Sequence, residues 1–81
     1  MTEIQQFERE FNAIKSRTTT PVMYALSTVC LKSPARVKEI IAANKSEFDR
    51  LNALVLGNSV EDRAEAITAL IDMVQTQKGL Q

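Results

Sequence analysis

The first residues of the chain carry apolar side chains at a helical spacing. Four of them recur at intervals of three, four and three residues: Ile4, Phe7, Phe11 and Ile14. This spacing places the four side chains on one face of an α-helix, opposite a polar face. Thr2 and Gln5 stand three residues apart, as in a capping box. The pattern predicts an amphipathic first helix that starts after Thr2 and ends near Arg17.

Two prolines mark the starts of the next helices. Thr20 precedes Pro21 and Ser33 precedes Pro34, so each proline follows a hydroxyl residue that can cap free backbone N–H groups. Proline is tolerated at the first helical position because the N–H that it lacks has no partner there. We therefore expect a second helix over residues 21–32 and a third over residues 34–43. The apolar face of the third helix would consist of Val37, Ile40 and Ile41.

Two further helices follow from similar start signals. Asn44 or Ser46 can begin a fourth helix, because Ser46 and Asp49 form a box-like pair, and Ser59 with Asp62 repeats the signal for a fifth. Glycines end both predicted helices, at Gly57 and Gly79. Their apolar stripes are Phe48, Leu51, Leu54 and Val55, and then Ala64, Ile67, Leu70, Ile71 and Val74.

The stretch VMYALSTVCL, residues 22–31, carries no charge at all. Its β-branched and aromatic residues also suit a strand, but a lone strand would leave its backbone hydrogen bonds without partners. A helix that is apolar nearly all round is one surrounded by other helices. The sequence therefore predicts one all-α domain over residues 1–81, a bundle of about five short helices with an apolar central helix at about residues 21–32.

The apolar residues allow two interpretations. In the first, the neighbouring helices cover the central helix completely. In the second, four short amphipathic helices leave part of the apolar surface exposed, and a partner protein or a second copy of the chain docks there. Methionine and tyrosine suit an adaptable docking surface. The apolar candidates for partner binding are Phe7, Phe11, Met23, Tyr24 and Leu26.

Charge is unevenly distributed although the formal net charge is zero. Residues 11–38 contain no acid and five basic residues, whereas residues 61–81 contain four acids and two basic residues. The basic zone can face solvent, an acidic protein surface, nucleic-acid phosphates or the acidic fifth helix of a second copy. Its members are the basic candidates for partner or nucleic-acid binding: Lys15, Arg17, Lys32, Arg36 and Lys38.

The sequence supports a nucleic-acid-binding function less well than a protein-binding function. The third and fourth predicted helices, joined by a short turn, have the order of a helix-turn-helix. However, Glu47 and Asp49 would bring carboxylates to the phosphates, and the turn lacks the glycine that is common there. The segments IIAANKSEF and EDRAEAI slightly resemble the NK-x-E-L and DHR-x-AEL segments of the Hha/YmoA family of small helical nucleoid modulators. The resemblance covers a few identities, does not amount to family membership, and implies binding to a partner protein.

Several kinds of chemistry are missing from the composition. The chain has no histidine and a single cysteine, which excludes nucleophile systems that depend on histidine and zinc or iron–sulfur sites built from several cysteines. No phosphate-binding glycine motif occurs. The acids at the start of the fifth helix suit the helix dipole whatever the function, and Cys30 is expected to be a buried, inert thiol. We expect no catalytic residues, no cofactor and no metal.

The remaining expectations concern location and role. A small chain with one cysteine and no disulfide framework is typical of a reducing cytoplasm. No signal-peptide pattern is visible, and the apolar run is about half the length of a membrane span. The sequence thus favours a non-enzymatic cytosolic regulatory protein, an adaptor or antagonist that masks a partner surface and self-associates. The alternative is a nucleic-acid-associated regulator that uses residues 15–38.

Overall fold

Five α-helices and no strand make up the part of the chain that the computed structural model describes, residues 2–80. They are α1 (Glu3–Ile14), α2 (Pro21–Cys30), α3 (Pro34–Ala43), α4 (Lys45–Val55) and α5 (Val60–Gln75). The all-α bundle predicted from the sequence is confirmed. The Cα radius of gyration is 11.4 Å, close to the value of about 12 Å expected for a compact chain of this length.

Local hydrogen bonds explain where most of the helices begin. Thr2 and Gln5 form the predicted capping box, with each side chain accepting from the backbone N–H of the other residue. Ser33 and Ser59 also cap as predicted, accepting from backbone N–H groups three residues later. Thr20 makes no capping hydrogen bond, so proline alone marks the start of α2. Of the two predicted starts of α4, Asn44 is the N-cap, so Ser46 lies inside the helix and does not cap it.

The core lies where α2 and α5 meet the other helices. The apolar α2 packs against α1, α3 and α5, while α5 also packs against α1, α3 and α4. Leu26 of α2 and Leu70 of α5 are completely buried in this core. Because Glu3 bonds Gln75 and Glu8 bonds Arg63, α1 and α5 run antiparallel. Burial of the uncharged run of α2 explains why this segment contains no charge.

The residues after α5 form a turn against the junction of α3 and α4. The side-chain amide of Asn44 donates to the carbonyl oxygens of Ile40, at 2.9 Å, and Lys78, at 2.6 Å. The Lys78 ammonium bonds the Glu47 carboxylate at 2.9 Å. Gly79 has a φ of 82°, and an added Cβ would lie 3.2 Å from the Cβ of Ala43. These contacts join distant parts of the chain. Helix α5 itself ends at Gln75, before the predicted stop at Gly79, because Gln77 already adopts a left-handed φ of 52°.

Leu31 ends α2 in an unfavourable backbone conformation. Its φ of 56° and ψ of 42° lie in the left-handed region, and the N–H of the next residue, Lys32, bonds the Ser27 carbonyl. The Ser27 hydroxyl donates to the Lys32 carbonyl at 2.7 Å and holds this turn in place. Helix α2 therefore stops at Cys30, two residues before the end predicted from the sequence. Glycine is the usual residue at such a position, because a Cβ is strained there.

Replacing Leu31 with glycine is expected to stabilise the fold by about 0.5–1 kcal/mol. The Leu31 side chain is 91% exposed, so little buried surface is lost, and the strain of the left-handed backbone is removed. Urea denaturation monitored by circular dichroism measures the change. The matched control is Leu56→Gly, because Leu56 also ends a helix but has a φ of −82°. Leu56→Gly is expected to be less stable than the wild-type protein. If Leu31→Gly also loses stability, the backbone at Leu31 is not strained.

Candidate protein-binding groove

An apolar groove lies between the first turn of α2 and the helices α3 and α4. Its cavity has a volume of about 260 Å³. We call it the α2–α4 groove and define it by its lining residues: Thr19, Thr20, Pro21, Val22, Met23, Lys38, Ile41, Phe48, Asn52 and Leu56. Six of these ten residues are apolar, so water in the groove would have few hydrogen-bonding partners.

The groove follows from how the helices pair. Helix α4 packs mainly against α5, and α2 packs mainly against α1, so the first turn of α2 and the outer face of α4 remain apart. On α4, Phe48 and Leu56 are eight residues apart and therefore share this face. Phe48 is half-buried and Leu56 is 58% exposed. Ile41 of α3 also lines the groove and is half-buried, although Val37 and Ile40 of the same helix are fully buried.

One charged side chain lines the groove, and it is positive. Lys38 is exposed on α3, and it forms no salt bridge with any of residues 2–80. The other polar lining groups are the hydroxyls of Thr19 and Thr20 and the amide of Asn52. A groove with apolar walls and one cation fits an apolar side chain that has a carboxylate beside it.

The apolar candidates from the sequence divide between the core and the surface. Phe7 and Leu26 are completely buried and Phe11 is 8% exposed, so the expectation of a docking surface is wrong for these three residues. They are buried because α1 and α2 pack closely against each other. Met23 is half-buried and lines the groove. Tyr24 is 41% exposed and lies outside the groove, beside Ile14 and Arg17.

The basic candidates occupy different settings. Lys15 and Arg17 are exposed in the turn after α1. Arg36 bonds the Glu39 carboxylate at 3.0 Å and the Gln77 side-chain carbonyl, so part of its charge is used within the fold. Lys32 is half-buried, and its carbonyl accepts from Ser27. The remaining basic candidate, Lys38, lies in the groove.

The environment of Cys30 suppresses its reactivity. The side chain is half-buried, and its Sγ lies 4.0 Å from the Ile71 carbonyl oxygen. Burial, and secondarily the negative charge of Glu3, raises the pKa of the Cys30 thiol to about 11, although the positive charge of Lys32 acts in the opposite direction. The thiol is therefore protonated near neutral pH, where only the thiolate would be an effective nucleophile.

Comparison with known proteins identifies no relative of this chain: no family model, no curated protein and no solved structure matches it. Within residues 2–80, no helix has the length and apolar character needed to cross a membrane. Over the same residues, no group of three cysteine, aspartate or glutamate side chains is arranged to hold a metal ion.

Most of the groove residues were not identified from the sequence. Phe48 belongs to the predicted apolar stripe of α4, and Ile41 belongs to the predicted apolar face of α3. The signal that could have found the groove is the spacing of Phe48, Asn52 and Leu56, which continues one face of α4 beyond its core stripe. This face shares Phe48 with the buried stripe, but it carries the polar Asn52 next to the Leu51 of that stripe.

Proposed function

We propose that this protein is a small, non-enzymatic cytosolic regulator, an adaptor or antagonist that masks a surface of a partner protein. The observation that supports the proposal is the α2–α4 groove, an apolar concavity with one cation, on a chain that has no histidine and a single cysteine. An unfilled apolar groove on a small domain is typical of a protein-interaction site. Binding there would bury the exposed side chain of Leu56.

The size and charge of the groove indicate which kind of partner segment would bind there. The cavity of about 260 Å³ admits one or two apolar side chains but no large surface. Lys38 would be complemented by a carboxylate on the partner. We therefore expect the bound segment to present an apolar anchor residue next to aspartate or glutamate. The contacts around the ion pair of Lys38 and the partner's carboxylate would then exclude water. The exclusion of water strengthens this ion pair.

The proposal is tested by affinity capture from the native cell lysate, with wild-type protein and the Leu56→Asp variant. We expect one dominant protein partner that survives nuclease treatment and is lost with Leu56→Asp, because the new carboxylate in the groove wall would repel the partner's carboxylate and compete with it for Lys38. Mass spectrometry identifies the partner, and circular dichroism establishes that the variant is folded.

Leu31→Asp provides the matched control. Leu31 is also an exposed leucine at the end of a helix, but it does not line the groove, so this variant should retain the partner. If Leu56→Asp also retains it, the groove is not the contact surface. If recovery collapses with nuclease, the nucleic-acid alternative replaces the proposal, and the exposed Lys15 and Arg17 become the residues to test by the salt dependence of binding.

A further inference from the structure

The chain itself contains a segment with the chemistry that the groove requires. Val60 is the first residue of α5 and is 78% exposed. Glu61 and Asp62 follow it directly, and both are exposed. Neither carboxylate forms a salt bridge with another of residues 2–80. An apolar anchor beside two carboxylates is thus displayed on the surface, in the first turn of α5.

We propose that a second copy of this chain occupies the α2–α4 groove, with Val60 of each copy inserted into the groove of the other. The carboxylate of Glu61 then lies against the Lys38 ammonium of the second copy. This inference rests on the proposed function, because it uses the same groove as the contact surface and names its occupant.

The placement of these residues suits a two-fold dimer. Leu56 forms part of the groove wall, and Val60 lies four residues further along the chain, where it lines a separate shallow depression with Ile4 and Arg63. In the proposed dimer a two-fold axis relates the two copies, so that each Val60 enters the groove of the other copy. Such an arrangement is closed, because both copies use the same surface. It also forms the pair of Lys38 with Glu61 twice.

The proposed dimer needs a minimum contact area. A specific interface needs about 1,000 Å² of buried surface in total, or roughly 500 Å² from each copy. That is about a tenth of the 5091 Å² accessible surface of the chain. A contact near this lower limit is expected to give a dimer that depends on protein concentration. Because it fills the groove, self-association and partner binding are mutually exclusive, and the monomer is the form that binds the partner.

Sedimentation velocity over a micromolar to millimolar concentration series tests the proposal. We expect wild-type protein to dimerise, and Lys38→Glu or Glu61→Lys alone to raise the dissociation constant about tenfold, since each change replaces two attractive pairs with two repulsive ones. An equimolar mixture of the two variants should recover the wild-type dissociation constant. In the mixed dimer, opposite charges face each other at both contacts, so both attractive pairs return.

Two control variants separate this contact from general charge effects. Lys15→Glu changes an exposed lysine outside the groove and should leave the dimer unchanged, whereas Val60→Asp should abolish it. A wild-type protein that stays monomeric throughout the series, or charge variants that dimerise normally or fail to recover on mixing, would overturn the inference. The proposed function is judged separately, because loss of the captured partner with Leu56→Asp requires no dimer.

Discussion

Replacing Phe7 with alanine is expected to unfold a large fraction of the protein. Phe7 is completely buried, and its ring stacks on that of Phe11 with a centroid separation of 6.1 Å. Removing a buried phenylalanine costs about 3–5 kcal/mol through lost burial and the cavity left behind. The total stability of a chain of 81 residues is about 4–12 kcal/mol, so one substitution removes much of it. Thermal and urea denaturation followed by circular dichroism measure the loss.

Tyr24→Ala is the matched control for Phe7→Ala. Tyr24 is an aromatic residue of the neighbouring helix α2, but its side chain is 41% exposed, so its truncation should cost about 1 kcal/mol or less. Equal effects of the two variants would contradict the burial of the α1 stripe. Phe11 is also buried, so a charged substitution there would disrupt the core and could not test whether a partner protein docks at this residue.

The helices could be predicted from the sequence because their signals are local. The capping box at Thr2 and the caps at Ser33 and Ser59 each depend on residues no more than three positions apart. The spacing of apolar residues likewise identifies a buried stripe within one helix. Such signals do not require knowledge of the neighbouring helix. These local signals therefore predict all five helices, and the predicted bounds of α3 agree with the structure.

Which apolar residues remain exposed could not be predicted in the same way. Phe11 and Phe48 both belong to apolar stripes, yet Phe11 is buried by α2 and Phe48 is left beside an unfilled groove. The difference arises from which helices pack together, and that depends on contacts between distant residues. The polar contacts of the final turn, such as that of Asn44 with Lys78, are also long-range. Neither the exposure of an apolar side chain nor a long-range polar contact can be derived from the spacing of residues along one helix.

A double-mutant cycle on Glu8 and Arg63 is expected to reveal strong coupling between α1 and α5. Nη2 of Arg63 donates to both carboxylate oxygens of Glu8, at 2.9 and 2.8 Å, and the side chains are only 28% and 32% exposed. The buried Nε of Arg63 has no hydrogen-bond partner among residues 2–80, so the guanidinium depends on Glu8. Glu8→Gln should therefore cost about 1–2 kcal/mol, because it leaves a half-buried cation unpaired.

The double variant Glu8→Gln/Arg63→Met should be more stable than the sum of the single effects implies, because no unpaired charge remains. Urea denaturation of the four proteins is expected to give a coupling energy of about 1 kcal/mol. The matched cycle uses Lys45 and Asp49, which form a salt bridge at 3.2 Å but are 77% and 59% exposed. Solvent screens that pair, so its coupling should be below about 0.5 kcal/mol. Equal coupling in the two cycles would show that burial of the Glu8–Arg63 pair contributes nothing to holding α1 against α5.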